Sequence, residues 1–269
     1  MKKLALKTLG LGVLASTSVM AMAEDKPSLY GVTASGNVAV TTDYRFRGIS
    51  QSSNDAAIQG GLTFNHKSGA YLALWGSSIK FDGYEGVSTE TDATLGYTNT
   101  LKLSESFAPT YDVGVTHYGY IGSDSEFENN GDTGMAFTEV FGKLTFAETL
   151  FKGDALSLGV AYSDDYWGHS DEFWYFNAGY SAPIANTGFN GVASVGYNKL
   201  KNKESLLVVA GGPGKDDDYI DYKVGVNYNV LGITAQLDVV GTNISTTGMT
   251  DAQKKLYDTG AVFTLTKTF

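Results

Sequence analysis

Arg45 and Arg47 stand two residues apart, and in an extended chain that spacing puts both guanidinium groups on one face. There they can grip a carboxylate or a phosphate bidentately. Asp43 shares the spacing and offers an internal partner instead, and lipopolysaccharide phosphates are a third candidate. Glu90 and Asp92 repeat the interval, as do Asp221 and Lys223, while Asp112, Glu139, Lys143 and Asp238 stand on faces that are otherwise small or polar. Seven of these eleven groups are acidic and four basic, so neither sign specifies a strongly selective ion path. The chemistry they offer is non-covalent: either a ladder that steers a charged solute, or cross-strand pairing that fills a narrow interior.

Bond-making chemistry finds less support. The chain has no cysteine, which removes thiol nucleophiles, disulfides and iron–sulfur ligands together. Of its three histidines, His66 falls in a short turn and His169 in a loop with Asp165 and Asp171. His117 shares a face with Val113 and Val115, where a lipid-facing acyl hydrolase would need it, but no serine can be set opposite. The run Asp216-Asp217-Asp218 lacks calcium-loop spacing and reads either as a solvated loop tip or as an attractor of divalent cations. No catalytic residue, metal or cofactor is therefore expected, and a net charge of −10 weighs against nucleic acid as a partner.

The elements that must position these groups announce themselves by a period of two. From Asn37 to Arg47, Val38, Val40, Thr42, Tyr44 and Phe46 take one face and Asn37, Ala39, Thr41, Asp43, Arg45 and Arg47 the other. Eleven alternating positions exceed an ordinary soluble strand and match a tilted membrane strand of about 9–11 residues. Similar segments follow near 56–65, 70–79, 89–98, 109–121, 137–146, 155–163, 172–181, 191–198, 219–228, 233–241 and 259–269, which makes twelve. The facing of the third is ambiguous, because Leu72 and Leu74 compete with Tyr71, Ala73 and Trp75, and the ninth is equally uncertain. Met249 to Tyr257 reads as a short helical turn within the last loop.

Residues 1–23 read as a cleaved secretory signal: Lys2, Lys3 and Lys7 open an apolar stretch that closes on Ala21-Met22-Ala23. Cleavage removes three lysines and no acid, moving the net charge from −10 to −13. Residues 24–34 then form a short periplasmic segment and 35–269 the barrel. Short and long connections alternate, as periplasmic turns and extracellular loops do in outer-membrane barrels. Outward aromatics gather at both strand ends: Phe64, Tyr97, Tyr111, Phe146, Tyr180, Tyr228 and Phe269 on the short-turn side, Tyr44, Phe46, Tyr162, Trp174, Tyr197 and Tyr222 on the other. The expected fold is all-β, a transmembrane antiparallel up-and-down barrel of about twelve strands in the bacterial outer membrane, bounded by lipid and lipopolysaccharide. Phe269 closes an outward row with Ala261, Phe263 and Leu265, a terminal pattern suited to the barrel-assembly machinery.

The stretch from Ser35 to Gln51, with Ala57-Ile58-Gln59-Gly60-Gly61, Tyr71 to Ser77 around Trp75, and Trp174 to Tyr180, resembles the TorF-type porin family of proteobacteria. The resemblance is sharpest over residues 35–80 and collinear to the C-terminus. It implies an outer-membrane barrel with a channel function and carries no assigned functional residues. Twelve strands enclose an interior between one that side chains fill and one that stays an aqueous channel, so a narrow or partly plugged path for small hydrophilic solutes is expected.

Overall fold

The computed structural model describes residues 30–84, 86–104, 108–123, 134–210 and 216–269; the expected signal peptide and residues 24–29 lie outside them. The chain runs β1 (Val32–Thr41), a small hairpin of β2 (Arg45–Phe46) and β3 (Ile49–Ser50), then β4 (Ala57–His66), β5 (Ala70–Ser78), β6 (Thr89–Thr100), β7 (Thr110–Ile121) and β8 (Phe137–Ala147). It continues through β9 (Ala155–Ser163), β10 (Phe173–Pro183), β11 (Phe189–Leu200), helix α1 (Lys203–Ala210), β12 (Asp218–Val230), β13 (Ile233–Thr242), helix α2 (Asp251–Tyr257) and β14 (Gly260–Thr268). Apart from β2 and β3, each strand pairs antiparallel with the next, and β14 pairs with β1, closing a twelve-stranded barrel.

Alternation decides which side chains face inward. In β9, Leu158 is exposed on the outer wall while Ser157 and Ala161 are buried. In β12, Val224 and Val226 face out and Asp221 and Asn227 face in. In the third barrel strand, β5, Leu72 and Leu74 lie outside and Tyr71 inside. The cause is cross-strand fit: the Tyr71 ring covers Gly96, where a Cβ would collide with it, and its hydroxyl donates to Asp112 Oδ1 at 2.9 Å. In β11, Val195 and Tyr197 face out while Val192 and Asn198 are buried.

The short connections gather at one rim with the start of β1 and the end of β14; the long ones gather at the other. The seam between β1 and β14 is the shortest ladder of the barrel, with five register pairs from Asn37↔Thr268 to Thr41↔Thr264. It is extended by reciprocal backbone bonds between Gly36 and Phe269 at 3.0 and 2.9 Å, the Phe269 ring occupying space that a side chain at residue 36 would need.

Two expectations fail at the start. The first strand does not continue to Arg47; it ends at Thr41, and the chain turns into the barrel. Arg47 and Gly48 sit at φ 49° and 81°, the two positive-φ positions of a tight hairpin turn between Phe46 and Ile49. Gly48 is required twice over there, since a Cβ would also strike Thr242 and the Gly241 carbonyl on the barrel wall. Tyr44 and Phe46 consequently leave the outer aromatic girdle for the interior, Tyr44 against Trp75 at 5.4 Å between ring centres and Phe46 against Tyr118 at 5.7 Å.

The hydrophobic core lies inside the barrel, toward the long-loop rim. Tyr118, Tyr120, Phe137, Phe173, Tyr175 and Tyr219 reach inward from strand ends. Tyr44, Ile49, Met135, Tyr166, Leu206, Met249 and Tyr257 descend onto them from the hairpin and loops. Burying each large apolar side chain stabilises by about 1.5–3 kcal/mol, so this inward packing is a major source of loop order. Of the narrow or partly plugged interior expected from strand number, this end takes the plugged form.

Candidate functional site in the barrel interior

The plug is anchored by one buried ion pair. Arg47 Nη2 donates to Glu139 Oε2 on β8 at 2.8 Å, and Nη1 stands 2.8 Å from Oε1 as an ionic contact without hydrogen-bond alignment. Both side chains are only 2% exposed. Nη1 also donates to the Tyr166 hydroxyl at 3.2 Å, and Tyr118 donates to Glu139 Oε2 at 3.2 Å. Four rings enclose the guanidinium: Tyr175 at 4.3 Å, Phe173 at 4.6 Å, Phe46 at 4.7 Å and Tyr166 at 5.5 Å from its carbon to the ring centres. All lie within cation–π range.

Arg45 leaves in another direction. Its Nε donates to Asp43 Oδ2 at 2.6 Å, and its terminal nitrogens donate to the carbonyls of Lys255 at 3.2 Å and Asp258 at 2.8 Å, at the C-terminal end of α2. A cation placed there satisfies free helix carbonyls and complements the dipole. Asp43 also accepts from the hydroxyls of Ser50 at 2.6 Å and Ser52 at 3.1 Å. The two arginines therefore do not converge on one anion; each is committed to a separate internal partner.

The remaining expected interior charges fall into two tiers. Near the plug, Glu90 and Asp92 are buried on the inner face of β6, and neither oxygen of Asp92 has a hydrogen-bond partner among the described residues. Asp221 accepts from Asn198 at 2.7 Å and from Tyr175 at 3.4 Å. Toward the short-turn rim, Lys143 approaches Asp112 at 3.7 Å, and Asp238 accepts from Gln236 at 2.7 Å. Lys223 lies in the field of Asp238 and Asp221. This lower tier is polar, lined also by Asn227, Thr98 and Ser181.

Sequence reasoning missed the ring cage. Tyr166 lies in a loop, and Phe173 and Tyr175 alternate with outward Trp174 and Phe176, so β10 is aromatic on both faces and its hydropathy has no period to read. That doubling was itself the signal that something apolar lies inside.

The outer aromatics other than Tyr44 and Phe46 keep to strand ends on the outer wall. Tyr162 pairs with Trp174 at 4.6 Å between ring centres, Phe189 with Tyr228 at 4.8 Å, and Tyr97 with Tyr111 at 6.1 Å. Hydroxyl tips find polar partners: Tyr180 donates to Asp154 at 2.7 Å, Tyr197 to Asp218 at 3.2 Å, and Tyr222 meets Thr259 at 2.5 Å.

The long loops tie to one another. Lys80 pairs with Asp55 at 2.7 Å and Lys201 with Asp171 at 2.8 Å, and each partnership holds the lysine above its ordinary range. Tyr257 of α2 donates to the Ala210 carbonyl of α1 at 2.5 Å, and burial pushes its hydroxyl up to about 12. In the acidic run, Asp217 binds Lys199 at 2.5 Å, which holds its carboxyl below the usual range, and Asp218 accepts from Tyr197, so the run is tied to its own strands. The expected helical turn in the last loop is α2, opened by a Thr250–Gln253 capping box. His117 is exposed on the outer wall with Thr138 Oγ1 at 3.0 Å, His66 meets Ser68, and His169 meets Asp165 at 2.6 Å.

The profile of a family described as "Bacterial protein of unknown function (Gcw_chp)" matches residues 25–269. The chain belongs to this family. No curated protein matches it in sequence. Among solved structures, OpdL of Pseudomonas aeruginosa is similar at 13% identity and a TM-score of 0.45, over 90% of this chain and 68% of that one. A KdgM porin in complex with disordered oligogalacturonate is similar at 6% identity and a TM-score of 0.47, over 88% and 98%. LpxR of Salmonella typhimurium is similar at 9% identity and a TM-score of 0.42, over 87% and 99%. At these values the likenesses do not bear on function.

Proposed function

We propose that this Gcw_chp-family chain is a porin-like barrel of the bacterial outer membrane that passes small hydrophilic solutes and rests with its long-loop mouth closed. The observation that carries the reading is the outer wall: a closed barrel keeps Leu95, Val113, Val140, Val195, Val224 and Leu237 exposed between two rows of strand-end aromatics. A continuous apolar band of that kind is incompatible with water and is what lipid covers. The charged, polar lower tier suits hydrated solutes, and the resemblance to TorF-type porins agrees. In this reading the short-turn rim is periplasmic, Phe269 presents the chain to the barrel-assembly machinery, and loop cations meet lipopolysaccharide.

The experiment is reconstitution. Heat-modifiable migration on gels reports the folded barrel, and planar-bilayer recording with liposome swelling in graded sugars is expected to give discrete, size-limited passage. A second reading, a non-conducting barrel whose loops bind a partner, is favoured by the packed plug; a folded barrel that swells no liposomes under any condition would establish it over the channel.

A further inference from the structure

The hairpin that fills the mouth is bound to the barrel by side chains. Among the described residues, positions 43–50 make no backbone–backbone hydrogen bond to a barrel strand; the Gln51 amide bonds back to Tyr44, and β2 and β3 bond to each other. A segment that shares no ladder with the wall can leave it without breaking the sheet. What seats it is chemically specific: a planar cation held edge-on by a carboxylate and face-on by rings. A leucine or methionine would fill the same volume without the cost of desolvating a charge.

We propose that Glu139 with Phe46, Tyr166, Phe173 and Tyr175 forms a guanidinium-binding site whose resident occupant is Arg47, and that occupancy of this site latches the plug shut. The inference rests on the channel reading and deepens it, naming the ligand class as planar guanidinium compounds. The charge is needed for Glu139, the planar fork for the two-point contact, and the exposed faces of the cation for the rings. Lysine supplies only the first of these, and urea supplies shape and hydrogen bonds without charge.

The test is removal and chemical replacement of the side chain. Arg47→Ala barrels, shown folded by heat-modifiable migration, are expected to raise open-state occupancy about tenfold or more over the native barrel, and millimolar methylguanidinium is expected to return them toward native closure while methylurea does not. Calorimetry on the same variant in detergent should show methylguanidinium binding at least about tenfold tighter than methylurea. Arg47→Ala that conducts no more than the native protein overturns the latch, and equal binding of the two probes overturns the site. Should Arg47→Ala not fold, Glu139→Gln serves: it keeps the arginine and the volume, and unchanged gating there overturns the proposal, whereas opening supports it. If no barrel conducts, native or variant, the channel reading fails by itself, and the calorimetric preference still decides whether the guanidinium site exists.

Discussion

Arg45 and Arg47 are two residues apart and part company: one donates to carbonyls at the end of α2, the other to Glu139 on β8, across 92 positions of sequence. The tight turn at Arg47-Gly48 produces the divergence, because it reverses the chain immediately after Phe46. One guanidinium thereby fastens loop to loop and the other fastens plug to wall.

Because Glu139 is 2% exposed, losing its partner leaves a buried, uncompensated carboxylate. Arg47→Met alone is expected to destabilise the barrel by about 3–5 kcal/mol, and the double change Arg47→Met with Glu139→Leu to recover most of that loss. Urea unfolding followed by the loss of heat-modifiable migration measures both; a double variant as weak as the single one would contradict it.

Gly48→Ala places an L side chain at φ 81° against Thr242 and the Gly241 carbonyl. The backbone term alone is about 1–2 kcal/mol, and the wall contact adds to it. The expected readout is a lower melting temperature together with faster protease cleavage between residues 42 and 56; an unchanged cleavage rate would mean that the hairpin tip does not press on the wall.

Asp92 works in the opposite direction. A buried carboxylate with neither oxygen bonded among the described residues, two positions from buried Glu90, is a standing cost to the fold. Asp92→Val suits the strand and removes the orphaned acceptors, so stability should rise by about 1–3 kcal/mol. A fall in melting temperature would show that the carboxylate is supported.

Asp154 ends the turn between β8 and β9. Burial opposes its charge, but the Tyr180 hydroxyl and the amides of Leu150, Phe151 and Thr149 outweigh burial and hold the carboxyl below its usual range. A carboxyl lowered in the folded state adds stability that is complete above the ordinary value of about pH 4 and is lost as pH falls through the lowered one. Acid melting curves of Asp154→Asn should therefore be flatter below that range than those of the native barrel, and superimposable curves would remove Asp154 from the account.

The wall was legible, and the make-up of the plug was not. A period of two, twelve segments and aromatic strand ends come directly from the residues, because an apolar outer wall and polar groups inside impose opposite demands on neighbouring positions. From Asp43 to Arg47 the same alternation continues through what is a hairpin arm, and Gly48 is its single local sign of reversal. The partnership of Arg47 with Glu139 and Tyr166 is long-range, and no local pattern encodes it. Interior positions near the mouth were expected to be polar, whereas Tyr118, Phe137 and Tyr175 show an inner face that changes character along its length.

The short seam between β1 and β14 joins the two barrel strands most distant in sequence. Until it forms, the remaining eleven ladders make a curved open sheet with a bare edge at each side, able to template pairing with any other strand it meets. Closing that gap costs the largest loop entropy in the molecule for the fewest ladder bonds. Assembly therefore places the greatest demand for chaperoning on one late event, and a lesion at Gly36 or Phe269 would act on the yield of finished barrels well before it acted on what a finished barrel does.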